Sequence, residues 1–254
     1  MAEVSLSVVL HLAVTHRALM ESGELESAQA ILGLSLPHLK HSIARVGPGS
    51  QISPDPFGAP MFDVYRIGSK EDLRSDEWVL FYDRFRRSAE NGIKGRMYRA
   101  ISGVLGEMGD NVVWHAFEAE NMPCPALAGF YVAGDAASFC VADCGQGFLQ
   151  SLKRSSSWAR LRSDSEALDA VVNKRATSRQ GETEGGGFKQ LFNSLLDFNG
   201  LAILRSGSCT FRLENCGDVR RLTVREGMAV SGSAVTVVVS RRGNPAELPL
   251  KMAT

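Results

Sequence analysis

The chain has 254 residues, with 28 basic and 28 acidic side chains, 44% hydrophobic and 22% charged residues, and a formal charge of zero. That length suits one large domain or a standard domain with a sizeable extension, and the composition excludes fibrous and disordered classes. Balanced charge argues against a broad electrostatic footprint for nucleic acid, and five cysteines without paired two-residue spacing argue against a disulfide framework or a zinc site.

No basic start precedes the apolar run 8–14, which His11 interrupts, so neither a secretion signal nor a membrane span is expected and the chain reads as cytoplasmic. The run 4–14 fits a strand or a buried helix equally well, because a short apolar run does not discriminate by period. Residues 24–32 and 36–46 read as short helices, the second with Ser35 as N-cap and Pro37 in its first turn. His38 and His41 lack a cysteine or acidic partner at ligand spacing, so they do not suggest a metal site. Pro48, Pro54, Pro56 and Pro60 with Gly47, Gly49 and Gly58 make 47–60 a turn or linker and place a boundary nearby. The expected division is a small α/β extension over 1–75, a core domain over 76–242 and a tail over 243–254.

From Ser75 the pattern turns helical, with Trp78, Leu80, Phe81 and Phe85 forming a stripe that Asn91-Gly92 is expected to break. Arg84, Arg86, Arg87, Lys94, Arg96 and Arg99 cluster here; without an aromatic ladder they read as the wet face of a helix rather than a nucleic-acid surface. A central helix begins near Lys94 and ends before Met122-Pro123, with Met97, Ile101, Leu105, Met108 and Val112 as its apolar stripe. Glu107, Asn111 and His115 are four apart and stack on an adjacent face. An amide oxygen there can bind a hard cation, and a carboxylate one turn away can accept a proton from water. Gly109, inside this helix, costs roughly 1 kcal/mol relative to alanine and is expected to admit a ligand or a neighbouring backbone.

Strands over 127–132 and 137–142 follow, joined by a Gly134-Asp135 turn. The second runs into Asp143-Cys144-Gly145-Gln146-Gly147, where spaced glycines let the backbone approach a flat ligand while the acid reads an exocyclic amine. After a polar stretch at 153–163 comes a helix over 165–173, capped by Asp164 or Ser165. Residues 178–187 have the composition of a lid and end in Gly185-Gly186-Gly187 at the start of a helix with Phe188, Leu191, Phe192 and Leu195 on its buried face. Free amides and the positive dipole end there suit phosphates. The chain closes with strands over 201–205, 209–213, 221–225 and 234–240, with Gly207 as a turn.

Acid and amide on a helix, a strand ending in Asp-x-Gly-x-Gly, a polar lid, a glycine cluster before a helix, and final strands: over roughly 78–240 this order resembles the Bergerat-fold ATP-binding superfamily of gyrase B subunits, histidine kinases and anti-sigma-factor kinases. The resemblance implies an α/β (α+β) two-layer sandwich, with a mixed, mostly antiparallel sheet and helices on one face. It makes Glu107 the catalytic acid of the N box and Asn111 its Mg2+ ligand. Asp143, Gly145 and Gly147 correspond to the first glycine box, whose acid contacts the adenine amine; Gly185, Gly186 and Gly187 to the second; and Gly232-Ser233 to the Gly-Thr before the last strand. Lys189, Lys174 or Arg179 would face the γ-phosphate. The family's second box alternates glycine with other residues, whereas here the glycines are contiguous and Phe188-Lys189-Gln190-Leu191 follows.

The expected cofactors are therefore ATP and Mg2+. The expected activity is that of an ATPase, or of a serine/threonine kinase of the anti-sigma-factor type acting on a regulatory protein partner. A homodimer through the N-terminal region is a further expectation. The competing reading, supported by the altered second box, is a nucleotide-responsive or nucleotide-free interaction module without turnover. Nucleic acid and membrane are not expected partners.

Overall fold

The computed structural model describes residues 61–93, 95–115, 126–174, 176, 188, 195, 199–216 and 219–241. Residues 1–60 of the expected extension, the tail, Gly185, Gly186, Gly187 and Lys189 lie outside the described residues.

The first element is strand β1 (Met61–Ile67). The Asp72 carboxylate then accepts the backbone N–H groups of Gly68 (2.6 Å) and Ser69 (3.0 Å), which folds the chain into a 3-10 turn over Asp72–Arg74. Ser75 Oγ accepts the Trp78 N–H at 3.1 Å, and Asp76 and Glu77 occupy the first turn, so helix α1 (Asp76–Ile93) starts with a side-chain cap and favourable charge on its dipole. Its inward stripe carries Phe81 and Phe85, whose rings lie 5.2 Å from that of Phe130; Phe85 also meets Phe139 edge-on at 6.0 Å. The expected break at Asn91-Gly92 falls one residue later, after Ile93. Gly92 is helical, and a Cβ there would fall 2.4 Å from the carbonyl oxygen of Gly134, so the glycine serves close packing on a turn of the sheet. Gly95, at φ 68°, opens helix α2 (Gly95–His115), whose Met97, Ile101, Leu105, Met108 and Val112 are all buried as the stripe requires.

Strands β2 (Ala126–Ala133) and β3 (Ala136–Asp143) form the expected hairpin, and β3 leads into the short helix α3 (Gly147–Lys153). Helix α4 (Asp164–Lys174) matches the expected one, but its cap is Ser163, whose Oγ accepts the Glu166 N–H at 3.1 Å. Asp164 is used elsewhere: its carboxylate accepts the Ser208 N–H at 2.9 Å, fastening the start of α4 to strand β4 (Gly200–Cys216).

The four short strands expected at the end are two long ones, β4 and β5 (Val219–Ser240). Gly207 is not a turn; with φ 55° it sits at register shifts on either side of itself, a bulge that bends β4 without ending it. Gly232, at φ 77°, likewise lies within β5. The five strands are ordered β1-β2-β3-β5-β4, and among the described residues every pairing is antiparallel, with no parallel pair of the kind a mixed sheet would have.

Residues 61–67 fell within the expected extension, yet β1 pairs with β2 from Met61↔Val132 to Ile67↔Ala126, so the sheet begins well before residue 76. Edge strand and helix layer are joined by an ion pair between Asp63, which is 3% exposed, and Arg84 of α1, with Arg84 Nε donating at 2.6 Å. The buried side chains of α1, α2, α3 and α4 share one apolar cluster with Phe130, Phe139, Val141, Val237 and Val239. The described residues therefore form an α+β sandwich with helices on one face of an antiparallel sheet.

Candidate functional site

Where β3 ends, the β3–β5 register sets Asp143 directly across from Ser233. Both follow the parity of Val141 and Val235, so both side chains stand on the helix-covered face, under the C-terminal half of α2. The result is an open cleft of about 440 Å³, counted out to the solvent. Met108, Asn111 and Val112 of α2 line one wall, and Gly147, Phe148 and Ser151 of α3 with Phe188 line another. Val141, Asp143, Ser233 and Val235 lie at its base.

Asp143 is 4% exposed, and its two carboxylate oxygens are separately held. The Ser233 hydroxyl donates to Oδ2 at 2.5 Å, and the Gly145 N–H donates to Oδ1 at 2.8 Å. Burial pushes the carboxyl above the usual aspartate range, and the bonds from Ser233 and Gly145 pull it partly back. The Ser233 backbone N–H also bonds to the carboxylate, and with about four lone-pair sites on its two oxygens the group keeps room for one more donor arriving from the cleft. The arrangement is a fixed acceptor at the base of an apolar slot.

The backbone around it leaves no room for side chains. Gly232 passes so near β3 that a Cβ would sit 2.0 Å from the carbonyl oxygen of Asp143, and Gly147, at φ 71°, would place one 2.7 Å from Ser206 Oγ. Ser206, 1% exposed on β4, accepts the Phe148 N–H at 2.9 Å and so pins the first turn of α3. Nothing in the chain pattern marks Ser206, because its partner lies 58 residues away. Phe148 and Ser151 also escaped the sequence reading, since only folding turns the segment after Gly147 toward α2.

The structure brings Asn111, Asp143, Gly147 and Ser233 to one cleft, with Gly145 bonded to Asp143 at its edge. Asn111 is half-buried, and its NH2 group reaches the Met108 sulfur only at 4.0 Å, a weak contact. Glu107, one turn earlier, is exposed and is not among the cleft's lining residues. Phe188, the residue after the glycine cluster, lies edge-on to Phe148 with ring centres 5.5 Å apart. Lys174 pairs with Asp169 at 3.4 Å on α4, and Arg179 lies outside the described residues. Gly109 faces neither ligand nor backbone: the Trp78 ring lies 3.2 Å from where its Cβ would be, so the small residue admits an indole from α1.

Much of the arginine cluster is neutralised within the fold. Arg84 pairs with Asp63, Arg86 with Asp83 and Glu90, and Arg87 with Asp83, as a solvated helix face would. Among the described residues no helix is long and apolar enough to cross a membrane.

No protein-family profile matches the chain, and no curated protein matches it. Among solved structures it is similar, at 16% identity, to the N-terminal domain of a DNA repair protein. That likeness covers 63% of this chain and 41% of the other, and its TM-score of 0.22 carries no argument for fold or function.

Proposed function

We propose that this cleft binds ATP with Mg2+, that the domain is a member of the Bergerat superfamily, and that the chain works as an ATPase or a serine/threonine kinase regulating a partner protein. The observation that carries the reading is Asp143: a buried carboxylate, braced by Ser233 and Gly145, at the base of an apolar slot. An adenine ring suits such a slot, because its faces are apolar and its exocyclic amine needs an acceptor at one edge. Val141, Val235, Met108 and Phe148 supply apolar surface for the ring.

The residues present also fit the metal. Among the described residues no group of three or more His, Cys, Asp or Glu side chains could hold an ion. Mg2+ keeps several waters and shares its coordination with substrate phosphates, so the Asn111 carboxamide on the cleft wall would be its protein donor. When bound, Mg2+ would neutralise charge on the phosphates. Asn111 would orient it, Gly185, Gly186, Gly187 and Lys189 would contact the phosphates, and Glu107 would position or deprotonate the acceptor, which is water or a partner's serine.

Calorimetry with ATP and Mg2+ tests the site. Saturable binding should be lost in Asp143→Asn and should lose its Mg2+ dependence in Asn111→Ala. No binding by the native chain at millimolar ATP would sink the proposal. The exposed position of Glu107, outside the cleft lining, favours a second reading in which nucleotide is bound without turnover. Glu107→Ala separates the two: loss of ATP consumption with retained binding supports the enzyme, whereas a native chain that binds ATP and its partner but shows no consumption for the substitution to remove supports the module.

A further inference from the structure

The face of the sheet turned away from the helices is sealed, although none of the described helices touches it. Side chains alternate along strands, so Leu127, Cys140, Ala142, Leu201, Ala234 and Val238 all point to this second face. Each is at most 6% exposed, and none belongs to the cluster that gathers the buried side chains of α1, α2, α3 and α4. Thr236 lies among them, 2% exposed, and its hydroxyl has no hydrogen-bond partner among the described residues. An uncovered face would leave these residues in water, so another part of the same chain excludes water from them.

Of the stretch between α4 and β4, the described Phe188 and Leu195 both sit in the helix-side cluster. Five strands spaced about 4.8 Å apart make a face about 19 Å across. The N-terminal stretch has the length and the apolar content to cover it, with Val4, Leu6, Val8, Val9, Leu10, Leu12 and Val14 in one run and further leucines at 32, 34, 36 and 39. It also delivers the chain to Met61 at the start of the β1 edge. We propose that residues 4–46 of this chain dock on the second face of the sheet and convert the sandwich into three layers. Ala142 and Ala234 adjoin Asp143 and Ser233 in sequence, so the docked segment lies directly behind the acceptor end of the cleft.

The test uses the full chain with p-benzoylphenylalanine in place of Tyr131, a half-buried second-face position paired with Ser138 and separated from Leu201 by β3 and β5. Irradiation of the monomer, followed by peptide mapping, should yield an intramolecular cross-link to residues 4–46. A cross-link to residues 242–254 or to a second copy, or no cross-link, would overturn the proposal. Thiol labelling gives an independent reading, because Cys140 lies on the second face and Cys209 in the helix-side cluster, both buried. In the full chain carrying Leu10→Asp and Leu12→Asp, Cys140 should react at least tenfold faster than in the native chain while Cys209 keeps its native rate. An unchanged Cys140 rate would count against the N-terminal segment as the cover.

Discussion

Asp143 shows how one residue can be placed for binding at a cost to the fold. Because burial raises its carboxyl pKa, the folded chain holds a proton over a range where the unfolded chain has lost it. Between the ordinary aspartate value of about 3.9 and the raised folded value, stability therefore falls as pH rises. Asparagine has no such proton. The stability of the native chain minus that of Asp143→Asn, read by urea denaturation, should decline from about pH 4 upward and level off once the pH passes the raised folded value. A difference that climbs with pH would mean that Ser233 and Gly145 stabilise the anion more than burial destabilises it. The same substitution should weaken ATP binding roughly tenfold or more, since bonds to a charged acceptor contribute about 1.5–3 kcal/mol. Gly232 is the second test at this scale. An alanine there must adopt φ 77° and meet the Asp143 carbonyl at 2.0 Å, so Gly232→Ala should cost about 2–4 kcal/mol in urea denaturation and disturb the cleft with it.

Among the elements, strand β1 is attached through the sheet edge and through one partly shielded ion pair. Asp63 is nearly inaccessible, whereas the Arg84 side chain is 27% exposed, so removing the carboxylate leaves a cation that water can still reach in part. Asp63→Asn should therefore cost about 1–3 kcal/mol and loosen residues 61–67 in amide exchange. Asp83→Asn is the control: its partners Arg86 and Arg87 have side chains 43% and 73% exposed, and the change should cost less than about 1 kcal/mol. The elements also show where local reading fails. Gly207 looks like a break, yet it is a bulge in an unbroken strand, and Gly92, beside the end of α1, also serves close packing against the Gly134 carbonyl. Glycine marks a place where no side chain fits, and a turn is only one such place. The cap of α4 was misassigned by one or two positions for a related reason: Ser163, Asp164 and Ser165 are all good caps, and the docking of Asp164 onto Ser208 selects Ser163.

For the whole molecule, a ligand that binds only the folded chain stabilises it by mass action, about 2.7 kcal/mol at a hundred times its Kd. For a domain of this size that corresponds to a rise in Tm of roughly 5–10 °C. ATP with Mg2+ at a hundred times the native Kd should produce such a rise in the native chain and, with binding tenfold weaker or more, about half of it or less in Asp143→Asn. An equal rise in both would place the binding elsewhere.

The chain by itself determined the elements whose information is local. The α2 stripe, the β2–β3 hairpin, the helix near 164–174 and the Asp-x-Gly-x-Gly ending of β3 are legible because period, turn chemistry and capping act over a few residues. It also marked Asp143 and Asn111 as candidates by residue type and spacing, and Ser233 through the family resemblance. Tertiary structure decided what lies between distant segments. It assigned β1 to the sheet, merged four strands into two, set Ser233 across from Asp143 and placed Ser206 beneath α3. It turned Gly109 toward Trp78 and left Glu107 outside the cleft lining. These outcomes depend on strand register and on contacts between segments far apart in the chain, which no local pattern encodes.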